Sequence, residues 1–398
     1  MSKTEELYYK SAYIKEFEAV VTDCQKKNAK GDAQIYEVIL DRTAFFPEQG
    51  GQSSDIGRIF SEGKEAEISH VSIDKEGVIR HISDTEIPVG TGIKGVIDWE
   101  HRFSNMQQHT GEHIFSGIVH SKFGYDNVGF HLSDSEVTMD YSGPLYVEDI
   151  RELELLVNRV IWENVRVLCE FPDPDRLCDM EYRSKKELTG DVRIVTVEGY
   201  DVCACCAPHV ERTGEIGILK VVGLQNYKGG VRVNILCGKR ALEFIVKEHD
   251  IVSRLSGKLT TSPENICTSV IKCMEENTSL KAELSRCRQK LIEYEIEEID
   301  PLLENVFLVK ESGMDMNVIR KTVNLLAEKH SGFCGIFSGD KLSGYRFIVA
   351  SGTSKKDASK LLSVLKDKYG AKGGGNAAMI QGSIAAIPDF NSDKDICI

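Results

Sequence analysis

His109-Thr110-Gly111-Glu112-His113 is the stretch from which the rest of this 398-residue chain is read. It sits in a longer run, from about Glu100 to Phe123, in which Met106, Ile114, Ile118 and Val119 share much of one face of a helix. Residues four apart on a helix point the same way, so the two imidazoles can close on one metal ion. A second half-site follows about ninety residues later, Cys205-Cys206-Ala207-Pro208-His209. Its Cys and His are again four apart, in a stretch where Pro208 argues against a helix interior. His109, His113, Cys205 and His209 make a nitrogen-and-sulfur set that suits Zn2+. Cys203 and Cys206 also form a C-x-x-C. A zinc ribbon needs a second such pair, which the sequence lacks, and thioredoxin-like chemistry needs a different βαβ context. Helical geometry turns Glu112 away from both histidines, and H-x-x-E-H is not the H-E-x-x-H of a metalloprotease.

Upstream, residues 1 to about 95 read as β-rich, with Ala33–Leu40 and Val78–Ile82 alternating as half-buried strands. Between them lies Asp41-Arg42-Thr43-Ala44-Phe45-Phe46-Pro47-Glu48-Gln49-Gly50-Gly51-Gln52-Ser53-Ser54-Asp55-Ile56-Gly57. This loop has neither Walker nor dinucleotide spacing. It reads either as a tight hairpin needing positive φ at Gly50 and Gly51, or as a substrate-facing wall. In the second case Thr43 and Gln52 would offer a hydroxyl and an amide.

Downstream, Val147–Glu163 has helical spacing of Ile150, Leu153, Leu156, Val160 and Ile161. Strands are expected at Val165–Phe171, Val192–Val197, Ile216–Val222 and Val231–Leu236. From about 262 to 300, Ser262-Pro263 makes an N-cap and N1 pair. Ile266, Val270, Cys273, Asn277, Leu280, Leu284, Cys287, Leu291 and Tyr294 then follow at alternating spacings of four and three, a heptad seam. Two partners suit that seam equally: a helix at about Lys239–Leu255 of the same chain, or a second copy. In the last segment Val318–Lys329 and Ala358–Tyr369 read as helices. Gly335–Phe337 and Phe347–Ala350 read as strands, and Gly373-Gly374-Gly375 as a flexible loop. Without a regular βαβ rhythm the fold class is α+β. Four parts are expected: a β-rich Gly-motif domain at 1–95, an α/β zinc-containing domain at 96–240, a helical hairpin or coiled coil at 241–301, and a small α/β domain at 302–398.

Composition limits the rest. Apolar residues are 41% and charged residues 28%, ordinary for a folded soluble chain. No run of eighteen apolar residues and no signal-peptide h-region appear, so no membrane partner is expected and the location is cytoplasmic. Twelve cysteines are then expected as thiols. A net charge of −13 argues against broad nonspecific nucleic-acid binding, but a local basic patch needs only a few residues.

A Gly-rich loop, then H-x-x-x-H, then C-x-x-x-H resembles the editing domain of alanyl-tRNA synthetase and its free-standing relatives, the AlaX proteins. Asp98-Trp99-Glu100-His101-Arg102 and Thr189–Val195 look like the free-standing branch. The last segment, with Gly373-Gly374-Gly375-Asn376, resembles the DHH-associated domain that ends alanyl-tRNA synthetases. The likeness covers nearly the whole chain, as in the long form of AlaX. Aminoacylation and anticodon-proximal domains have no counterpart, so ATP-dependent activation is not expected. Two positions depart from the pattern. Cys206, Ala207 and Pro208 replace glycines and a threonine, and Phe46 stands where tyrosine is common.

The resemblance implies hydrolysis of an aminoacyl ester on tRNA(Ala) mischarged with serine, with glycine as a second candidate. A pocket that accepts alanine cannot strongly exclude an extra hydroxyl or a missing methyl, at roughly 1–3 kcal/mol, so a second site edits. Thr43 carries over as the partner of the serine hydroxyl. The zinc ion would either activate water or position the substrate. Arg183, Lys185 and Lys186, and Lys220, Lys228 and Arg232, flank the second half-site as phosphate contacts. Lys355, Lys356 and Lys372 lie in the last segment. Two rivals remain: a zinc hydrolase of small esters or amides, and a non-catalytic tRNA-binding protein with a structural zinc. A homodimer through the 262–300 helix or the C-terminal domain completes the expected partners.

Overall fold

A computed structural model of the chain describes residues 3–28, 34–133, 136–184 and 191–390. It is a mixed helix-and-sheet protein of two compact units, Met1–Val252 and Ser253–Ile398.

The first unit opens with six strands: β1 (Glu16–Asn28), β2 (Gln34–Leu40), β3 (Gly57–Ser61), β4 (Lys64–Ile73), β5 (Ile79–Ser83) and β6 (Gly92–Ile97). They close into an antiparallel barrel in the order β1-β2-β5-β4-β3-β6. Side chains alternate across each strand, so every second residue enters the barrel. Phe17, Ala19 and Val21 do so from β1, and Ile79, His81 and Ser83 from β5. Ala66 and Ile68 point inward from β4 until a bulge between Ile68 and His70 moves the inward position to Val71.

Helix α1 (Trp99–Phe123) follows directly, capped by the Asp98 carboxylate, which accepts from the His101 N–H at 3.0 Å. It ends at Gly124, in the left-handed region at φ 70°. Strands β7 (Asn127–Leu132) and β8 (Val137–Tyr141), helix α2 (Val147–Glu163), strand β9 (Val167–Glu170) and the short helix α3 (Pro174–Asp179) come next. Strands β10 (Ile194–Val197), β11 (Asp201–Ala204), β12 (Leu219–Tyr227) and β13 (Gly230–Cys237) lead to helix α4 (Gly238–Leu259). The strands pair antiparallel as a four-stranded sheet, β12-β13-β8-β7, and a three-stranded one, β9-β10-β11. Helices α1 and α2 share one core with the four-stranded sheet, through Ile114, Phe115, Leu153, Val157, Met139 and Val233. Gly111 allows the contact between α1 and β13, since a Cβ there would sit 2.4 Å from the Cys237 sulfur. Where a strand was expected from Ile216, a 3-10 turn at Thr213–Ile216 comes first.

The second unit holds helix α5 (Ile266–Glu297), strand β14 (Val306–Lys310), helix α6 (Met316–Lys329), strands β15 (Phe333–Asp340) and β16 (Gly344–Ser351), helix α7 (Ala358–Tyr369), and strands β17 (Lys372–Gly375) and β18 (Met379–Ile384). The sheet order is β14-β15-β16-β18-β17. Only β14 and β15 run parallel, and α6 makes the crossover a parallel pair requires. Ile336 and Ile348 face α6, while Phe337 and Phe347 face α7 on the other side. The Gly373-Gly374-Gly375 stretch is not a loop: it is part of β17, bonded to β18. Glycine has no local strand preference, so only the cross-strand ladder reveals it.

Candidate metal centre

The Gly-rich loop is fixed to α1 by a buried ion pair. Arg102, with no exposed surface, donates from Nε to both Asp55 carboxylate oxygens at 2.9 Å and also pairs through Nη2. Its remaining donors reach the carbonyls of Ala12, at 2.9 Å, and Ala44, at 2.6 Å. Asp55 in turn accepts from the Phe46 N–H at 2.6 Å. Every charge in this clamp is partnered, which is the condition for burying it. At the loop tip Gly50 and Gly51 take φ 65° and 85°, as the hairpin reading expects. A Cβ at Gly51 would lie 2.5 Å from the Phe130 carbonyl oxygen. The loop is stitched to β7 by Leu132 N–H to Gly51 O at 2.7 Å and Ser53 N–H to Leu132 O at 3.0 Å.

That clamp brings Gln52 against His109. The His109 Nδ1–H donates to Gln52 Oε1 at 2.7 Å, leaving Nε2 3.5 Å from the Cys205 sulfur. His113, one turn on, donates from Nδ1 to Asp201 at 3.0 Å. His209 Nδ1 bonds the Thr110 hydroxyl at 3.0 Å, and its Nε2 lies 3.4 Å from the same sulfur. Ligand atoms of His109, His113, Cys205 and His209 all fall within 4.8 Å of one another. Each imidazole thus has Nδ1 held from outside, which makes Nε2 its ligand atom, the arrangement that fixes tautomer and ring orientation in metal sites. Three buried imidazoles and one half-buried sulfur converge, a nitrogen-and-sulfur set that fits Zn2+. His113, Asp201 and Cys203 form a second close group. Arg183 already occupies both Asp201 oxygens, from Nε at 2.7 Å and Nη2 at 2.9 Å, so this group acts as support for His113.

Charge follows from these contacts. Burial, with His113 and His109 beside it, pushes the His209 pKa well below the usual range and keeps the ring neutral. Burial would also lower His113, but Cys203, Asp201 and Glu112 outweigh it and raise its pKa. Asp201 is held low against its burial by His113 and Arg183. Burial raises the Cys206 thiol to about 12.

A cavity of about 560 Å3 opens over the centre, with Gly50, Gly51, His109, His113 and Cys205 in its wall and Tyr9, Phe130, Phe171 and Val128 as its apolar part. Among the described residues, Gln52 Nε2 and Ser53 Oγ here, and Ser351 Oγ in the second unit, are buried side-chain atoms with no hydrogen-bond partner.

The structure therefore brings together the four expected ligands and Gln52. Neither Gln52 nor Thr43 lines that cavity. Thr43 is fully buried, bonds His81 Nε2 at 2.9 Å and accepts from the Phe45 N–H at 3.1 Å. His81 is bonded through Nδ1 to Val38 O at 3.1 Å, and burial lowers its pKa to about 4. The basic residues are also engaged. Arg183, half-buried, is the partner of buried Asp201, Lys220 pairs with Glu154 at 2.9 Å, and Arg232 pairs with Asp140 at 2.6 Å. Lys228 is exposed, with its ammonium 5.0 Å from the Tyr227 ring centre. Lys185 and Lys186 lie outside the described residues.

Glu112 needs correction. It does not face away from both histidines: its carboxylate comes within 3.9 Å of His113 Nε2, and, 1% exposed, it accepts from Ser116 at 2.7 Å and Asn127 at 2.6 Å. Helical spacing gives the direction in which a side chain leaves the axis, but the side chains of adjacent residues in a buried helix still come close. Asp201 and Thr110 carry no motif of their own. Thr110 lies inside the His-Thr-Gly-Glu-His stretch, which is the one signal that pointed near it.

Residues 1–101 match the family model for class II (A) tRNA synthetases, and residues 192–234 match the threonyl and alanyl tRNA synthetase second additional domain. The chain is 28% identical over 399 residues to the alanyl-tRNA editing protein AlaX-L of Pyrococcus horikoshii, covering 97% of this chain and 96% of that protein. It is 29% identical over 384 residues to the alanine–tRNA ligase of Ignicoccus hospitalis, covering 94% of this chain and 40% of that one. For the alanine–tRNA ligase of Pyrococcus furiosus the figures are 32% over 365 residues, 85% and 38%. The chain spans about two fifths of the length of the ligases it matches.

Proposed function

We propose that this chain, which belongs to the alanyl-tRNA editing family, is a cytoplasmic zinc-dependent deacylase that hydrolyses the ester of serine, and of glycine, wrongly attached to tRNA(Ala). The observation that carries the reading is the convergence of His109, His113, Cys205 and His209 under a cavity floored by a glycine loop. These four residues would hold the ion. When bound, it supplies Lewis acidity or an anchor for the polar end of the substrate.

The chain's own groups do the rest. Gly50 and Gly51 have no side chains, so an ester can approach the backbone closely. Gln52 does not itself line the cavity, but it follows Gly50 and Gly51, which do; it is fixed at Oε1 by His109, and its buried, unpartnered Nε2 is a donor for a substrate oxygen that passes between the glycines. A substrate that satisfies this donor is favoured over one that leaves it unpaired, which separates the serine ester from the alanine ester. Thr43 supports that wall from inside the barrel and reaches a substrate hydroxyl only by exchanging its bond to His81. Tyr9, Phe130 and Phe171 exclude water from the apolar side. Phosphate contact falls to exposed Lys228 and half-buried Arg232, after the second half-site in the sequence, and to Lys185 and Lys186, before it. A second copy of the chain is the other partner.

The test is deacylation of Ser-tRNA(Ala), Gly-tRNA(Ala) and Ala-tRNA(Ala) by the wild type and by Cys205→Ala. Loss of the serine and glycine esters, survival of the alanine ester, and loss of activity in the variant are expected. A folded, zinc-loaded wild type that binds tRNA without deacylating it would instead make the protein a binder with a structural zinc. Hydrolysis of small esters with indifference to tRNA would move the substrate class.

A further inference from the structure

An arginine drawn into a protein's interior needs a negative partner, because a charge taken out of water unpaired is costly. Arg102 has Asp55, and half-buried Arg183 has Asp201. Arg193 differs. It is 8% exposed, and among the described residues it pairs with no carboxylate. Its Nη1 donates to the carbonyls of Cys205, at 3.0 Å, and Ala207, at 2.8 Å, and its guanidinium carbon lies 5.4 Å from the Tyr9 ring centre. The other edge, Nε with Nη2, has no acceptor among the described residues. Nor is that edge sealed in the protein: the enclosed, unpartnered side-chain atoms are Gln52 Nε2, Ser53 Oγ and Ser351 Oγ. It opens on the cavity of about 560 Å3 above the metal centre, whose wall Arg193 shares with Tyr9, Phe171, His109 and Cys205. Asp191 stands in the same wall, exposed, and does not pair with Arg193.

We propose that Arg193 is the anion-binding residue of this cavity, and that its open edge takes an oxyanion of the substrate through two parallel hydrogen bonds. Arg183 shows the same edge in use within this chain, where Nε and Nη2 hold the two Asp201 oxygens at 2.7 and 2.9 Å. That fork matches the oxygen spacing of a carboxylate or a phosphate. On the deacylase reading, on which this assignment rests, the substrate is an aminoacylated RNA end. Such an end offers two oxyanions. One is the phosphodiester on the 5′ side of the esterified nucleoside, and the other is the carboxylate that hydrolysis sets free. Either would be held against the ligand loop itself, since Nη1 is tied to the Cys205 and Ala207 backbone. A side chain that only braced that loop would account for Nη1 and leave the unpaired charge and the second edge without a purpose. The basic residues named from the sequence, Arg183, Lys220 and Arg232, are each taken up by a carboxylate of their own. Arg193, from the Thr189–Val195 stretch, is not.

Probes that do not react test this apart from turnover. The full chain is titrated calorimetrically with adenosine 5′-monophosphate against adenosine, and with L-serine against serinol, which lacks the carboxylate. In at least one pair the anionic member should bind about tenfold or more tightly than its neutral analogue, and Arg193→Met should abolish that preference. The pair that shows it identifies the oxyanion. Arg193→Lys keeps the charge without the fork and should lose about threefold or more of the preference. Equal affinity within both pairs in the wild type overturns the proposal, as does a preference that survives Arg193→Met unchanged. Because Nη1 braces the ligand loop, zinc content and circular dichroism of each variant are measured alongside. If Arg193→Met loses metal or fold, Arg193→Lys decides: an undiminished preference there overturns the proposal. A wild type that deacylates Ser-tRNA(Ala) without any anion preference removes this role from Arg193 and leaves the deacylase reading standing. An Arg193-dependent preference without deacylation does the reverse.

Discussion

Helices α1 and α5 invert the usual rule about which residues are inside, in opposite directions. In α1 the buried positions include Arg102, Asn105, Gln108, Thr110, Glu112 and both metal-site histidines. In α5 the exposed positions include Leu280, Leu284, Leu291 and Tyr294. The two departures have different explanations. A buried polar group is tolerable only with partners, and α1 shows them: Arg102 on Asp55, Gln108 on the backbone of Cys237, His109 on Gln52, His113 on Asp201. An exposed apolar seam raises the opposite question, what would cover it. Polar burial in α1 is thus answered by named contacts, and apolar exposure in α5 is not.

The comparison breaks first at the Arg102 clamp. Asp55→Ala leaves a buried guanidinium uncompensated and should destabilise the N-terminal unit by about 3–5 kcal/mol in urea unfolding. Replacing both partners by apolar residues should recover much of that. A loss under about 1 kcal/mol for the single variant would mean the clamp does not hold the loop.

His81 gives the next effect. Its folded pKa of about 4 lies below its usual 6.5, so the unfolded chain takes up the proton first as pH falls. Its stabilising contribution is complete above about pH 6.5 and is lost on descending to about 4. The drop should be about 3 kcal/mol and should flatten in His81→Gln. An unchanged pH slope in that variant would assign the acid sensitivity elsewhere.

Asp201→Asn is gentler, because the His113 ring keeps a hydrogen-bond acceptor. Zinc affinity should fall roughly 10- to 100-fold, with the fold intact. Affinity equal to wild type would show that His113 needs no outside support. Smallest of all, Leu280→Ala on α5 should change the stability of the separated chain by less than about 0.5 kcal/mol. A larger change would mean that the seam is already covered within one chain.

The His/Cys cluster was legible in the sequence because residue type and spacing are local facts: His109 with His113, Cys205 with His209. So were α2 and α7, whose periodic stretches, Val147–Glu163 and Ala358–Tyr369, match their bounds. Closure of the barrel was not legible, since alternation identifies a strand but not its neighbour. The same limit hid Asp201 and Thr110, whose roles depend on contacts across 88 and 99 residues of chain. It also hid the fate of the basic residues. Arg183, Lys220 and Arg232 read as free charge until Asp201, Glu154 and Asp140 come beside them. Thr43 shows the converse: its place in the motif is clear, while its bond to His81 turns it away from the cavity wall.

The most direct test of the account is metal content and the spectrum of the cobalt-substituted protein. One zinc per chain is predicted. Co2+ in its place should give intense tetrahedral visible bands and a sulfur-to-metal charge-transfer band, the latter lost in Cys205→Ala and retained in Cys206→Ala. A folded chain that takes up no metal, or a charge-transfer band that survives Cys205→Ala and disappears with Cys206→Ala, would contradict it.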